Sequence, residues 1–191
     1  MLGVISAPHP LAAALIERLQ SRPGGRVLDF AAGRGRNGEA LRRAGFDVVT
    51  IGDDDASSGA PLANGRERFA AVISTHGFLH GTPDAIAARV RSIAESLDGG
   101  GLLYATFGST HDTRFGRGKR IDDSTFAPLD GDERGVAHVY FDRAQLRALL
   151  EPYFEVESLH ERGVDEVAGS WAHRERPLRG AVHWVAIAHK R

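Results

Sequence analysis

Two periods of apolar residues alternate along this chain. Leu11, Leu15, Ile16 and Leu19 share one helical face, which predicts an amphipathic helix near 8–20, ended by Ser21-Arg22-Pro23-Gly24-Gly25. Continuous apolar runs predict strands at about 26–30, at Asp47 to Ile51 and at Phe69 to Ser74. A short helix from Asn37 to Ala44, closed by Gly45, separates the first two strands. Thr82-Pro83-Asp84 opens a long helix whose buried face carries Ile86, Val90, Ile93 and Leu97. Asp98-Gly99-Gly100-Gly101 stops it and leads into a strand from Leu102 to Phe107. Asp142 caps a helix bearing Leu146, Leu149 and Leu150, which Pro152 ends. Phe154 to Leu159 and Val182 to Ala188 are the last strands.

Strands alternating with helices predict an α/β fold with a mostly parallel sheet. The last two strands lack a helix between them, so the final strand is expected to run antiparallel at or near the edge. The longest irregular stretches are 53–68, 108–138 and 160–180. With no repeat and no break in composition, residues 1–191 read as one domain.

The richest chemistry follows the first strand, in Val27-Leu28-Asp29-Phe30-Ala31-Ala32-Gly33-Arg34-Gly35-Arg36-Asn37-Gly38. A glycine-rich turn into a helix presents unpaired N–H groups and lets a ligand touch backbone. In α/β sheets such turns lie at the carboxyl ends of the strands, where ligands bind. Gly33-x-Gly35-x-x-Gly38 literally matches the dinucleotide fingerprint. Asp29 argues against that reading, because its carboxylate would face a pyrophosphate. It suits a ligand that brings a cation. Arg34 and Arg36 would favour a phosphate if they gripped one; they are expected instead to be exposed or to pair with local carboxylates.

Leu28 to Asn37 resembles motif I of the class I S-adenosylmethionine-dependent methyltransferases, and its Gly-Arg-Asn ending is similar to that of the tellurite-resistance-type small-molecule methyltransferases. The resemblance extends through Phe46 to Ile51, Phe69 to Ser74 and Leu97 to Leu103, and Tyr140-Phe141-Asp142-Arg143-Ala144-Gln145-Leu146 is also usual in such enzymes. It implies a Rossmann-like three-layer sandwich and S-adenosylmethionine as cofactor. Asp29 would orient the methionyl end, the backbone at Ala31, Gly33 and Gly35 would line the methionine and ribose, and Ser74, Thr75 and His76 would border the methionyl group. Asn37, which ends the motif, joins the cofactor-binding set. Ala31 departs from the pattern, standing where a glycine is common. Gly52 stands where an acid for the ribose is expected, so Asp53, placed by a one-residue bulge and followed by Asp54 and Asp55, takes that role. The short gap from Asp53 to Phe69 implies that the third strand and its preceding helix are reduced, with Ala60-Pro61-Leu62 at most a remnant.

His76, His80, His111 and His138 fall in predicted loops on the cofactor side and are the candidate general bases. His76 and His80 are four apart, but Gly77 and Gly81 argue for a loop and no third ligand of matching logic stands nearby, so no metal is expected. His160, His173, His183 and His189 read as structural or surface. Phe115, Phe126 and Tyr140, around a basic loop, are placed to close a pocket.

The 191 residues are 42% hydrophobic and 26% charged with a formal net charge of −1, so no basic excess draws the chain to nucleic acid or membrane. There is no cysteine, which excludes disulfides and thiolate metal sites. No basic leader and no spanning apolar run are seen, and a cytoplasmic location is expected. The expected function is methyl transfer to a small-molecule acceptor. The alternatives are an NAD(P)-dependent reductase and a non-catalytic S-adenosylmethionine-binding protein.

Overall fold

A computed structural model describes residues 7–21, 25–52, 68–164 and 179–191. Helix α1 (Pro10–Gln20) precedes β1 (Arg26–Phe30), α2 (Arg36–Arg43), β2 (Asp47–Ile51) and β3 (Phe69–Phe78). Helix α3 (Pro83–Ser96) leads into β4 (Leu97–Gly108), and three short strands follow: β5 (Lys119–Arg120), β6 (Thr125–Ala127) and β7 (His138–Val139). Helix α4 (Arg143–Leu150), β8 (Phe154–Gly163) and β9 (Val182–Lys190) complete the order.

The main sheet runs β2-β1-β3-β4-β9-β8. Its first four strands are parallel, and β9 lies antiparallel between β4 and β8. Alternate residues of each inner strand face opposite ways. Val27, Ala71, Ile73, Leu102 and Tyr104 pack under Leu11, Leu15 and Leu19 of α1 and Leu41 of α2. Leu28, Val72, Leu103 and Ala105 pack under Ile86, Val90 and Ile93 of α3 and Leu146 and Leu150 of α4. The result is three layers, with helices on both faces of the sheet. No described helix is long and apolar enough to cross a membrane.

Most elements form where the pattern places them. Thr82 caps α3 through its side chain, with Pro83 at the first helical position. Asp142 and Gln145 form a reciprocal capping box on α4. Two boundaries differ. β4 begins at Leu97 rather than Leu102, because Phe69 pairs with Leu97 and Ala71 with Leu102, so Asp98 to Gly101 form an outward excursion of the strand. β3 continues to Phe78, with Ser74 opposite Ala105 and Phe78 opposite Phe107, so β3 spends four residues where β4 spends two. The segment 108–138, irregular by pattern, holds β5 and β6, which with β7 form a small antiparallel sheet in the order β5-β6-β7. Residues 53–67, which include Ala60-Pro61-Leu62, lie outside the described residues.

Candidate functional site

The carboxyl ends of β1, β3 and β4 meet at one edge of the sheet, and the glycine turn leaves β1 there. Asp29 is 1% exposed, and its Oδ2 accepts a hydrogen bond from the Gly38 backbone N–H at 2.8 Å. That contact ties β1 to the first turn of α2. It also explains the third glycine of the fingerprint: a Cβ on Gly38 would lie 2.8 Å from Asp29 Oδ2. The turn itself needs left-handed backbone at Ala31 (φ 54°), Gly33 (φ 52°) and Gly35 (φ 73°). Two of the three are glycine, for which this region carries no penalty; Ala31 bears a strain of about 1 kcal/mol. A Cβ on Gly35 would meet nothing within 4 Å, so backbone at this point of the turn is open to approach.

Asn37 is buried and makes its contacts inside the protein. Its Oδ1 accepts from the His9 N–H at 2.9 Å, and its Nδ2 donates to Thr75 Oγ1 at 2.9 Å. Arg36 is also buried and donates from Nη1 to the Ala7 carbonyl at 2.8 Å. Of the two expected alternatives, exposure fails, while the local Asp29 carboxylate does act on the guanidinium; the segment before α1 also folds back over the turn, and its Ala7 carbonyl accepts from Arg36. Burial lowers the Arg36 proton affinity while the Asp29 charge raises it. His9 caps α1 by accepting from the Leu11 N–H at 3.1 Å, and burial, with the Arg36 charge second, lowers its pKa to about 4.

Ser74 and Thr75 are buried on β3 beside the turn. His76 is in β3 rather than in a loop, within the stretch where that strand carries its two extra residues, which turns side chains off the regular pleat. Gly77 is needed there, because a Cβ on it would lie 2.6 Å from both Ala31 Cβ and Ser74 Oγ. The His76 ring meets His183 edge-on at 5.7 Å. His183, read from sequence as structural or surface, opens β9 opposite Gly108 and so stands at this same edge. Burial, with the Arg114 charge next, lowers its pKa to about 3. The antiparallel sense of the last strand was the available signal: it brings the first residues of β9 to the carboxyl ends of its parallel neighbours. Asp53 and its neighbours Asp54 and Asp55 lie outside the described residues.

Beyond β4 the chain builds a second, more polar wall. Asp112 is buried and forms a two-pronged ion pair with Arg114, Oδ1 to Nε at 2.9 Å and Oδ2 to Nη2 at 2.9 Å. Its Oδ2 also accepts from the Val182 N–H at 2.9 Å. Burial alone would raise the Asp112 pKa, but these bonds hold it below the ordinary value. Arg114 lines a cavity of about 430 Å³ together with Arg117, Phe126, Leu129, Glu133 and Tyr140. Phe115 meets Phe126 at 5.4 Å and Tyr140 at 5.6 Å, so the three aromatics form one cluster, of which Phe126 and Tyr140 line the cavity. Burial pushes the Tyr140 hydroxyl up to about 12, which keeps it a neutral donor.

Of the other candidate bases, His80 and His138 are brought together, and His111 is not. The His80 and His138 rings meet edge-on at 4.7 Å. Glu133 joins them, with Oε1 3.6 Å from His80 Nε2 and Oε2 3.2 Å from His138 Nε2. Contact with His138 first and His80 second holds the Glu133 carboxyl far below the usual carboxylate range. The HxxxH spacing pointed to His76 and His80; the structure instead groups His80 with Glu133 and His138, which stand five residues apart in the segment 108–138 and more than fifty residues beyond His80. His111 lies at the exposed surface against Glu161, Nδ1 to Oε1 at 2.8 Å.

No protein-family model matches this chain. No curated protein matches it either. Solved structures do. 1,6-Didemethyltoxoflavin-N1-methyltransferase from Burkholderia thailandensis, solved with 1,6-didemethyltoxoflavin and S-adenosylhomocysteine, superposes with a TM-score of 0.65 at 19% identity, over 95% of this chain and 76% of that one. An S-adenosylmethionine-dependent methyltransferase from Methanosarcina mazei gives 0.67 at 16% identity, over 88% and 93%. The chain has the fold of the S-adenosylmethionine-dependent methyltransferases. TehB from Haemophilus influenzae shares it, with a TM-score of 0.60 at 16% identity, over 94% of this chain and 62% of TehB.

Proposed function

We propose that this chain is an S-adenosylmethionine-dependent methyltransferase acting on a small-molecule acceptor. The observation that carries the reading is the buried Asp29 carboxylate beneath a left-handed glycine turn, at the carboxyl edge of a sheet with this fold. The residues fit the cofactor. A carboxylate complements the α-ammonium of the methionyl group, the open face of Gly35 admits a ligand to the backbone, and Ser74, Thr75 and His76 stand across from the turn. When bound, that cofactor supplies a methyl group on a positively charged sulfur, ready for in-line displacement by an acceptor nucleophile.

What the protein adds is alignment and exclusion of water. Asp29, Ala31, Gly33 and Gly35 hold the donor side. The cavity beside Arg114 and Tyr140 receives the acceptor under the Phe115–Phe126–Tyr140 cluster, and the His80–Glu133–His138 group activates it. His76, with its ring against His183, stands at the donor side. Its size favours a small acceptor rather than a nucleic acid or a protein. We take the reaction to run in the cytoplasm, where the sequence reading places the chain.

A dinucleotide reductase is disfavoured on two counts: Asp29 would face the pyrophosphate, and Arg36 is spent on the Ala7 carbonyl rather than on a phosphate. A binding protein without catalysis is disfavoured by the open cavity. The test is Asp29→Ala, with Gly38→Ala as the variant that displaces the carboxylate without deleting it. Each is expected to weaken S-adenosylhomocysteine binding at least tenfold, about 1.4 kcal/mol, in protein whose circular dichroism shows it folded. Unchanged affinity in folded Asp29→Ala protein would overturn the role given to this residue.

A further inference from the structure

We propose that His80, Glu133 and His138 form a binding site for a divalent transition metal, zinc foremost, beside the cavity that Glu133 lines. The three donor atoms lie within 4.8 Å of one another. A tetrahedral zinc with bonds of about 2.0–2.1 Å needs neighbouring ligand atoms roughly 3.3–3.4 Å apart. Glu133 presents one oxygen to each ring, Oε1 3.6 Å from His80 Nε2 and Oε2 3.2 Å from His138 Nε2, so it would meet an ion between the rings through both oxygens or after a small rotation of the carboxylate. His80 is the more exposed ring, at 38%, and a small shift of it would bring the donor atoms to that spacing.

The tautomer of His138 points the same way. Its Nδ1 is 2.9 Å from the Val136 carbonyl, an acceptor only, so Nδ1 carries a hydrogen. In the neutral ring the lone pair then sits on Nε2, which is buried and aimed at the Glu133 carboxylate. Lone pair and carboxylate repel unless a cation or a proton stands between them. A metal-bound histidine ordinarily donates its second nitrogen to a carbonyl or carboxylate, which is the arrangement found here. The backbones of the two histidines are pinned opposite each other as a β-bridge, with Gly81 N–H donating to the Ala137 carbonyl at 2.9 Å and Val139 N–H to the Leu79 carbonyl at 2.9 Å. Arg89 donates to the carbonyls of Gly77 and His80 and fixes the loop from below. A nearby cation does oppose a metal: Arg114 Nη1 is 3.9 Å from Glu133 Oε2, but the guanidinium is already neutralised by Asp112.

Two histidines and one carboxylate leave a zinc ion with an open position, the arrangement of catalytic rather than structural sites. Glu133 lines the cavity, so an acceptor within it can supply the fourth ligand. The ligand class that fits is a hydroxyl or thiol, bound as its anion, with its proton released to solvent. The ion thereby stabilises the nucleophile at neutral pH. This use of the metal rests on the proposed methyl transfer; the site itself does not.

The experiment uses tag-free, full-length protein, stripped with a chelator and titrated with zinc against a competing indicator, and with cobalt read by its visible absorption. One zinc per chain and an intense tetrahedral cobalt spectrum are expected in the wild type and in His111→Ala, which removes the exposed histidine of the His111–Glu161 pair. His80→Ala and Glu133→Gln, checked by circular dichroism, should each weaken binding about a hundredfold and abolish the spectrum. Absence of binding, or binding that these two variants leave unchanged, would overturn the proposal. S-adenosylhomocysteine affinity is measured on the same samples. Zinc bound without S-adenosylhomocysteine would sink the methyltransferase reading and leave the metal site standing; the reverse would do the opposite.

Discussion

At the scale of single residues, the glycine turn shows how close contacts choose residue types. Ala31 occupies left-handed backbone, and its Cβ is the atom that a side chain on Gly77 would strike. Ala31→Gly is therefore expected to stabilise the protein by up to about 1 kcal/mol, after the extra chain entropy of glycine is subtracted. Gly77→Ala should destabilise it by about 1–3 kcal/mol, the cost of forcing a methyl group into a packed site. Combining the two should recover part of that loss, a coupling of at least about 0.5 kcal/mol in chemical denaturation. Strict additivity would mean that the two residues do not meet. Asp29, Gly33 and Gly35 were legible from sequence because the chemistry is local: a carboxylate and a turn within seven residues. The grouping of Glu133 was not, because His138 stands five residues from it but His80 is fifty-three residues earlier, and only the fold brings the three together.

At the scale of elements, strands and helices were legible wherever a face is buried. β1 and β2 form at the residues their apolar runs name, and Thr82 and Asp142 cap the helices they were expected to cap. The small sheet of β5, β6 and β7 was hidden because strands of two or three residues are too short to display a period. The segment before α1 was hidden for another reason: its anchor is polar, made by Arg36 and Asn37 reaching back to Ala7 and His9. That anchor predicts a pH dependence. His9 has a folded pKa of about 4 against an ordinary value of 6.5, and His183 one of about 3. A depressed folded value means that the fold holds the ring neutral. Their contribution is complete above pH 6.5 and declines as pH falls, by about 1.4 kcal/mol per pH unit for each ring until its folded pKa is reached. Thermal melts between pH 7.5 and 4.5 should therefore fall steeply. His9→Asn, which keeps a capping side chain, should be less stable at pH 7.5 and show a shallower decline. An equally steep decline would show that His9 does not carry it.

At the scale of the whole molecule, the antiparallel placement of β9 organises both halves of the proposed site. It brings His183 to the edge where the parallel strands end, next to His76, and lets Val182 bond to Asp112, which holds Arg114 in the cavity wall. The sequence pattern predicted an antiparallel last strand but not its residues at the site, since that requires knowing which end of the sheet each strand reaches. The proposed donor side is built from the turn after β1 and the end of β3, and the proposed acceptor side from residues 80–140. The central claim is that the donor side takes an adenosyl sulfonium rather than a nicotinamide dinucleotide. Titration calorimetry of the purified protein with S-adenosylmethionine, S-adenosylhomocysteine, NADH and NADPH tests it most directly. Micromolar binding of the two adenosyl compounds alone is the predicted result. Binding of NADH or NADPH alone would contradict it, and would mean that Gly33, Gly35 and Gly38 cradle a pyrophosphate after all.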